Sequence, residues 1–154
     1  MPHFFIKSED VINNKVTISD KDTFNHLAKS LRIRKGEKLL LIDENQIQYE
    51  TVVENITSRD ILANIEKSYK SQRKLLFKLY LAQSPLRSDA QNFVIEKATE
   101  LGVDGVYPTY TDNCALATSV IEKKIPKWQR IMLEASKQCE RAYIPTCFEL
   151  TKLE

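Results

Sequence analysis

Glycine is the residue that most limits what this chain can be. Among 154 residues only Gly36, Gly102 and Gly105 occur, where ordinary usage would supply about 10. A dinucleotide-binding turn or a phosphate loop needs several neighbouring backbone positions free of Cβ. Three isolated glycines exclude a self-contained Rossmann or nucleoside-triphosphate enzyme. The balance of 23 Lys and Arg against 21 Asp and Glu leaves a net charge of +2, so no whole-chain field points to a polyanionic partner. With 42% hydrophobic and 29% charged residues, a buried core is feasible and bulk disorder is not expected.

Cys114, Cys139 and Cys147 are odd in number, and His3 and His26 lie far from them in sequence. Neither a disulfide framework nor a metal site is expected. Residues 1–10 lack a basic start followed by a long apolar stretch, so no signal peptide is expected. The longest strongly apolar run, Leu39 to Ile42, is far too short to span a bilayer. These features predict a cytoplasmic protein with no membrane partner.

The rhythm changes near residue 73. Before it, short β-like runs at His3 to Lys7 and Lys15 to Ile18 precede a helix over Asp20 to Leu31, with Phe24, Leu27, Ala28 and Leu31 on one face. A strand over Glu37 to Ile42 ends in the polar turn Asp43-Glu44-Asn45. Tyr49, Thr51 and Val53, then Ile61, Ala63 and Ile65, alternate as half-buried strands do. This predicts a small β-barrel or sandwich with one helix over residues 1–70. Tyr69 to Lys74 reads as a linker.

From residue 74 to 154 the pattern is strand, helix, strand, helix, which predicts an α/β unit with parallel strands. Leu75 to Ala82 is a nearly continuous apolar run. Ser88 and Gln91 form a possible capping box for a helix ending near Gly102, with Val94, Ala98 and Leu101 inward. Val106 to Tyr110 is a second buried strand. Ser119 and Glu122 offer another cap, and Pro126 suits a first helical turn. Trp128, Ile131, Ala135 and Cys139 repeat at helical spacing to about Arg141, and Thr146 to Leu150 offers one more strand. A sheet this small reads as an incomplete α/β domain.

Five cations, Lys29, Arg32, Arg34, Lys35 and Lys38, crowd a helix end and the turn after it. They suit RNA phosphates. They suit equally a solvated face with cations placed at a helix C-terminus. His26 lies on the flank of the same helix, as a packed or capping side chain. Glu134, Gln138 and Arg141 fall at i, i+4 and i+7, opposite Trp128 and Ile131, as a substrate-facing carboxamide and guanidinium or as a surface ladder with Lys137. Lys97 and Glu100 pose the same choice on the preceding helix. No nucleophile stands in pattern with a base.

Several segments together resemble one family. His26-Leu27, Ser30-Leu31-Arg32 and Gly36 are similar to an H-L-x-x-V-L-R-x-x-x-G segment. Leu81-Ala82-Gln83 and Ile95 to Val103 resemble L-x-Q followed by I-x-K-A-T-E-L-G-V. Trp128 to Ile131 and Glu134 to Arg141 resemble W-x-x-I and E-A-x-x-Q-C-x-R. All belong, in this order, to the bacterial ribosomal RNA small subunit methyltransferase E family, which methylates uridine N3 in 16S rRNA. The resemblance implies an α+β chain with a PUA-like RNA-binding β-barrel over 1–70 and the N-terminal part of a SPOUT methyltransferase domain, a knotted α/β fold, over 74–154. It implies S-adenosyl-L-methionine as donor, the small ribosomal subunit as partner, and a homodimer.

By that resemblance Lys29, Arg32, Arg34, Lys35, Lys38 and His26 face RNA, and Lys97, Glu100, Gln138 and Arg141 are the catalytic candidates. Uracil N3 must lose its proton before or as it takes a methyl group. A carboxylate such as Glu100 can accept that proton, and a cation such as Arg141 can stabilise the anion. Where the family commonly has E-R-S/C, this chain has Asp112-Asn113-Cys114. The family's glycine-rich loops, which hold the donor and tie the knot, have no counterpart in these 154 residues. The expectation is therefore a chain truncated at its C-terminus, without cofactor-binding residues of its own and inactive as it stands. The alternative is an RNA-binding fragment without catalysis.

Overall fold

The computed structural model describes residues 3–71 and 76–153. The chain divides into two compact units, Met1–Gln72 and Arg73–Glu154.

The first unit is a six-stranded sheet built on β1 (His3–Phe5), β2 (Val11–Ile12), β3 (Lys15–Ile18), β4 (Lys38–Ile42), β5 (Ile47–Ile56) and β6 (Ile61–Lys70), in the order β1-β4-β5-β6-β3-β2. Among the described residues only the β1–β4 pair is parallel. Asn13 and Asn14 join β2 to β3 with φ of 47° and 63°, the left-handed pair that a two-residue hairpin turn requires and Asn tolerates. On β5 and β6 the side chains of Tyr49, Thr51, Val53, Ile61 and Ala63 are buried, as their alternation predicts. Of these, Tyr49, Val53 and Ile61 close one core with Phe4, Val16, Ile18, Leu39 and Leu41. β6 runs on through Tyr69 and Lys70, so the predicted linker begins inside a strand. Its Gln72 to Lys74, and Leu75 beyond, fall outside the described residues.

The helix of this unit is shorter than its pattern suggests. Asp20 caps α1 (Lys21–Asn25), its carboxylate accepting from the Thr23 amide at 2.9 Å. The chain then widens into a π turn over His26–Ser30. A π turn adds a residue to the winding. Phe24 and Leu27 stay buried, but Leu31 is rotated out and 48% exposed, and Ile33 fills the core in its place.

The second unit holds β7 (Tyr80–Gln83), α2 (Ser88–Leu101), β8 (Gly105–Tyr110), α3 (Thr118–Gln138), β9 (Thr146–Cys147) and β10 (Thr151–Lys152). All pairings are parallel. β7 flanks one edge of β8, and β9 and β10 lie in succession along the other. The first strand is shorter than predicted: it starts at Tyr80, and Leu76, Phe77 and Leu79 are exposed. The buried cluster joins Ile95, Ala98, Val103, Val106, Ile121, Trp128, Met132 and Cys147. Burial pushes the Cys147 thiol up to about 11. Cys114, Cys139 and Cys147 are free thiols.

Several predicted helix details are corrected. The residue before α2 is Arg87, and Ser88 is already helical, with φ of 38°. The predicted box does not form around Ser88. Gln91 instead turns its carboxamide oxygen back to the Leu86 amide at 2.8 Å. The inner face of α2 is Gln91, Ile95, Ala98 and Thr99, while Leu101 is 79% exposed. Thr99 is buried at no polar cost because its hydroxyl donates to the Ile95 carbonyl at 2.8 Å. Gly102 ends α2 at φ 103°, as its position predicts. α3 starts at Thr118 behind Ala117, so Ser119 is not its cap, and Pro126 lies inside one 21-residue helix rather than at its start. α3 stops at Gln138; Arg141 lies beyond it.

Gly105 is required for close approach. A Cβ there would meet Phe148 Cε2 at 2.5 Å and the Thr146 carbonyl oxygen at 2.8 Å. Phe148 lies flat on Tyr107, ring centroids 4.1 Å apart. Gly105→Ala must push β9 off β8, and overpacking of this kind costs about 1–3 kcal/mol. A urea titration followed by Trp128 fluorescence should show that loss, and an unchanged midpoint would refute it.

Candidate functional site

Two regions carry the candidate residues, one in each unit. In the first unit the end of the π turn and the strand after it present Lys29, Arg32, Arg34, Lys35 and Lys38, all exposed. Arg32 sits at φ 51°, which turns the chain sharply between the helix and β4. Lys38 is paired with Glu66 at 3.0 Å. Among the described residues the other four take part in no ion pair, although the charge of Lys35 helps to lower the Glu54 pKa. His26 is exposed beside it, its ring edge-on to Phe4 at 5.4 Å between centroids.

In the second unit the structure places the four catalytic candidates around the contact of α2 with α3. Lys97 Nζ reaches Glu96 at 2.8 Å and both oxygens of Glu100 at 2.9 and 3.1 Å. Hydrogen bonds donated to these carboxylates, Glu96 first, raise the Lys97 pKa, and the Lys97 ammonium in turn lowers that of Glu96. Lys97 and Glu100 are thus brought together as a surface pair. Gln138 lines a groove of about 360 Å³ between the helices, with Glu96, Lys127, Arg130, Ile131, Glu134 and Ala135. Ile131 therefore shares a face with Glu134 and Gln138 instead of opposing it.

Arg141 stands apart from that face. The helix turns out through Cys139 and Glu140, the latter at φ 55°, and the guanidinium folds back onto the end of α2. It donates to the Thr99 carbonyl at 2.5 Å and the Val103 carbonyl at 2.7 Å, and lies over the Tyr143 ring at 4.2 Å. The Thr99 carbonyl already accepts from the Gly102 amide at 3.1 Å, so the fork of Arg141 adds a second donor there and ties in the Val103 carbonyl just beyond α2. A helical-spacing argument cannot find this contact, because Arg141 is no longer on the helix.

Other polar groups gather at the carboxyl ends of β7 and β8, where open α/β sheets take ligands. Gln91 Nε2 donates to Gln83 Oε1 at 3.3 Å, and Ser84 and Thr111 hydroxyls lie 3.5 Å apart. Burial would raise the Cys114 pKa. The Ser84 hydroxyl and the amides of Leu116, Thr111 and Ala115 outweigh it and hold the thiol below its ordinary value. Sequence reasoning passed over Ser84, Gln91 and Thr111 as site residues; only the L-x-Q motif ending at Gln83 lies next to them. Among the described residues no cluster of His, Cys, Asp and Glu could hold a metal ion, and no helix is long and apolar enough to cross a membrane.

In this chain a basic rim on a β-rich unit precedes a parallel α/β unit with polar groups at its strand ends. Two family models fit it: an RNA methyltransferase PUA domain over residues 18–66 and an RNA methyltransferase domain over residues 72–154. The chain belongs to this RNA methyltransferase family. It is 31% identical to the ribosomal RNA small subunit methyltransferase E of Mesomycoplasma hyopneumoniae, over 80% of this chain and 52% of that one. It is 27% identical to the protein of the same name from Buchnera aphidicola subsp. Schizaphis graminum, over 94% of this chain and 59% of the relative. The chain thus spans little more than half the length of these curated relatives. In fold it is similar to a ribosomal RNA small subunit methyltransferase E from Neisseria gonorrhoeae solved bound to S-adenosyl methionine. The TM-score is 0.84 at 22% identity, covering 99% of this chain and 62% of that one.

Proposed function

We propose that this protein serves in methyl transfer from S-adenosyl-L-methionine to N3 of a uridine in 16S rRNA. The observation that carries the reading is the RNA methyltransferase domain model over residues 72–154, on a unit whose L-x-Q, K-A-T-E-L-G-V and E-A-x-x-Q-C-x-R motifs lie on β7, on α2 and the turn after it, and on the end of α3 and the turn that leaves it. In the reaction N3 forms a bond to the methyl carbon as the sulfur–carbon bond breaks, and the N3 proton passes to a base. The donor supplies its methyl group as an activated sulfonium. Glu100 is the proposed proton acceptor, and it must exchange part of its contact with Lys97 to take that proton.

Gln138 is proposed to orient the uracil edge by its carboxamide. Arg141 is proposed to fix the approach of α2 to the end of α3, and through it the distance from Glu100 to Gln138. The hydroxyls of Ser84 and Thr111 are suited to the ribose or amino-acid end of the donor. Residues 1–70 are read as the PUA-like barrel that holds rRNA through Arg32, Arg34 and their neighbours, and 74–154 as part of a SPOUT domain whose knot and homodimer complete the site in the cytoplasm.

The test is methyl incorporation from S-adenosyl-L-methionine into small ribosomal subunits that lack the modification, with the modified nucleoside identified by mass. Where methyl is incorporated the product is expected to be N3-methyluridine, with Glu100→Gln lowering its rate about 10²–10⁴-fold, the usual contribution of a positioned base; no incorporation at all upholds the alternative, RNA binding without catalysis. Methyl groups on any other atom, or an unaffected Glu100→Gln variant, would refute the assignment.

A further inference from the structure

The groove between α2 and α3 has a charge balance that its residue list hides. Two carboxylates and two cations line it: Glu96, Glu134, Lys127 and Arg130. Both carboxylates are already engaged by other lysines. Lys97 holds Glu96 at 2.8 Å and shares its charge with Glu100 at 2.9 Å, and Lys137 holds Glu134 at 3.1 Å. Lys127 and Arg130 are exposed, and among the described residues neither takes part in an ion pair. Lys123, also exposed and without an ion pair among those residues, precedes them at i−4 and i−7 on the same helix. One face of α3 therefore carries three cations with charge to spare over two turns. Below them Ile131 and Ala135 give the groove an apolar floor, and Gln138 closes its end with a carboxamide.

We propose that this groove is a second RNA-binding site, taking the sugar–phosphate backbone of a single-stranded segment on Lys123, Lys127 and Arg130 and one base on the Ile131–Ala135 floor. The proposal rests on the reading that the chain acts on RNA, and adds a contact surface to the unit that carries the catalytic candidates. The volume, about 360 Å³, lies in the range of about 300–1,000 Å³ typical of small-ligand clefts. The planar fork of Arg130 suits a phosphate, and Lys127 adds a point charge beside it. An apolar floor edged by cations fits a nucleotide, with its flat base and charged link, better than it fits an acidic peptide, which brings charge without a ring.

The experiment titrates the full chain with a fluorescein-labelled single-stranded RNA over a series of salt concentrations. Each phosphate contact contributes about 0.7 to the slope of log affinity against log salt, so Lys127→Ala with Arg130→Ala should flatten it by about 1.4. Lys127→Arg with Arg130→Lys should keep the wild-type slope. Circular dichroism must show both variants folded; if the Ala pair is not, Lys127→Gln with Arg130→Gln replaces it. Arg32→Ala with Arg34→Ala serves as the comparator for the first unit.

An unchanged slope in the folded neutral variant would overturn the groove. So would displacement of the RNA by polyglutamate as effective as that by unlabelled RNA, which would mark a plain polyanion surface. If the neutral variant is unchanged while methylation of small subunits proceeds, the groove fails and the functional reading stands. A flattened slope in a chain that methylates no RNA upholds the groove and removes the methyl-transfer reading.

Discussion

Arg141→Ala should destabilise the second unit by about 3 kcal/mol, because hydrogen bonds from a charged donor contribute about 1.5–3 kcal/mol each and two are lost together. The bonds run to the carbonyls of Thr99, in the last turn of α2, and Val103, just after Gly102. Without the guanidinium, the chain leaving α3 is no longer tied to the chain leaving α2. Arg141→Lys should recover little of the loss, since an ammonium cannot present two parallel N–H donors to two carbonyls or stack on Tyr143. Trp128 is the only tryptophan and is buried in this unit, so its fluorescence follows this transition alone. A urea midpoint equal to wild type in Arg141→Ala would show that the contact contributes nothing. Activity lost with stability intact would return Arg141 to the direct role its motif position suggests.

That residue also shows where sequence reading stops. A motif position fixes which side chain matters but not what it touches. Arg141 was expected on a helical face with Glu134 and Gln138, and one residue past the helix end, Glu140 at positive φ, sends it elsewhere. Leu31 fails for a related reason: the π turn over His26–Ser30 shifts every later position, and no pattern of apolar residues announces a π turn. Leu101 and Thr99 exchange their expected places because Thr99 satisfies its hydroxyl within the helix and can be buried. By contrast β5 and β6 were legible, since a period of two survives wherever a sheet buries one face. The bulges between Glu50 and Thr51 and between Val53 and Asn55 adjust the pairing without moving Thr51 or Val53 from the core. The charge of the α2–α3 groove was invisible in sequence for a simpler reason. Which lysine neutralises which carboxylate depends on geometry, and Glu96 and Glu134 cancel Lys127 and Arg130 in any count of charges.

The turn after β4 should produce the other large effect. Asp43 is buried, and its carboxylate accepts from the amides of Asn45 and Ile47 and from the Tyr49 hydroxyl, each at 2.9 Å. Asp43→Ala strands three donors at once. With about 1–3 kcal/mol for each unsatisfied group, a loss of about 4 kcal/mol is expected in the first unit. The Trp128 transition should stay where it is. Tyr49 gives the arrangement a pH signature. Burial first, then the hydrogen bond to Asp43 and its charge, push the phenol up to about 12, against about 10 in an unfolded chain.

Below pH 10 both states keep the phenolic proton and the stabilisation is complete. Between pH 10 and 12 the unfolded chain releases its proton while the folded one retains it, so stability falls by about 1.4 kcal/mol for each pH unit. Tyr49→Phe removes this titration together with the hydrogen bond. At neutral pH the variant should be less stable than wild type by about 2 kcal/mol. The gap should close as the pH rises from 10 towards 12, because only the wild type loses this contribution. Contributions from the rest of the chain are the same in both proteins and cancel in the difference. Denaturation followed by far-ultraviolet circular dichroism across that range reads the gap directly. A gap that stayed constant to pH 12 would mean that neither burial nor Asp43 holds the Tyr49 proton in the folded chain.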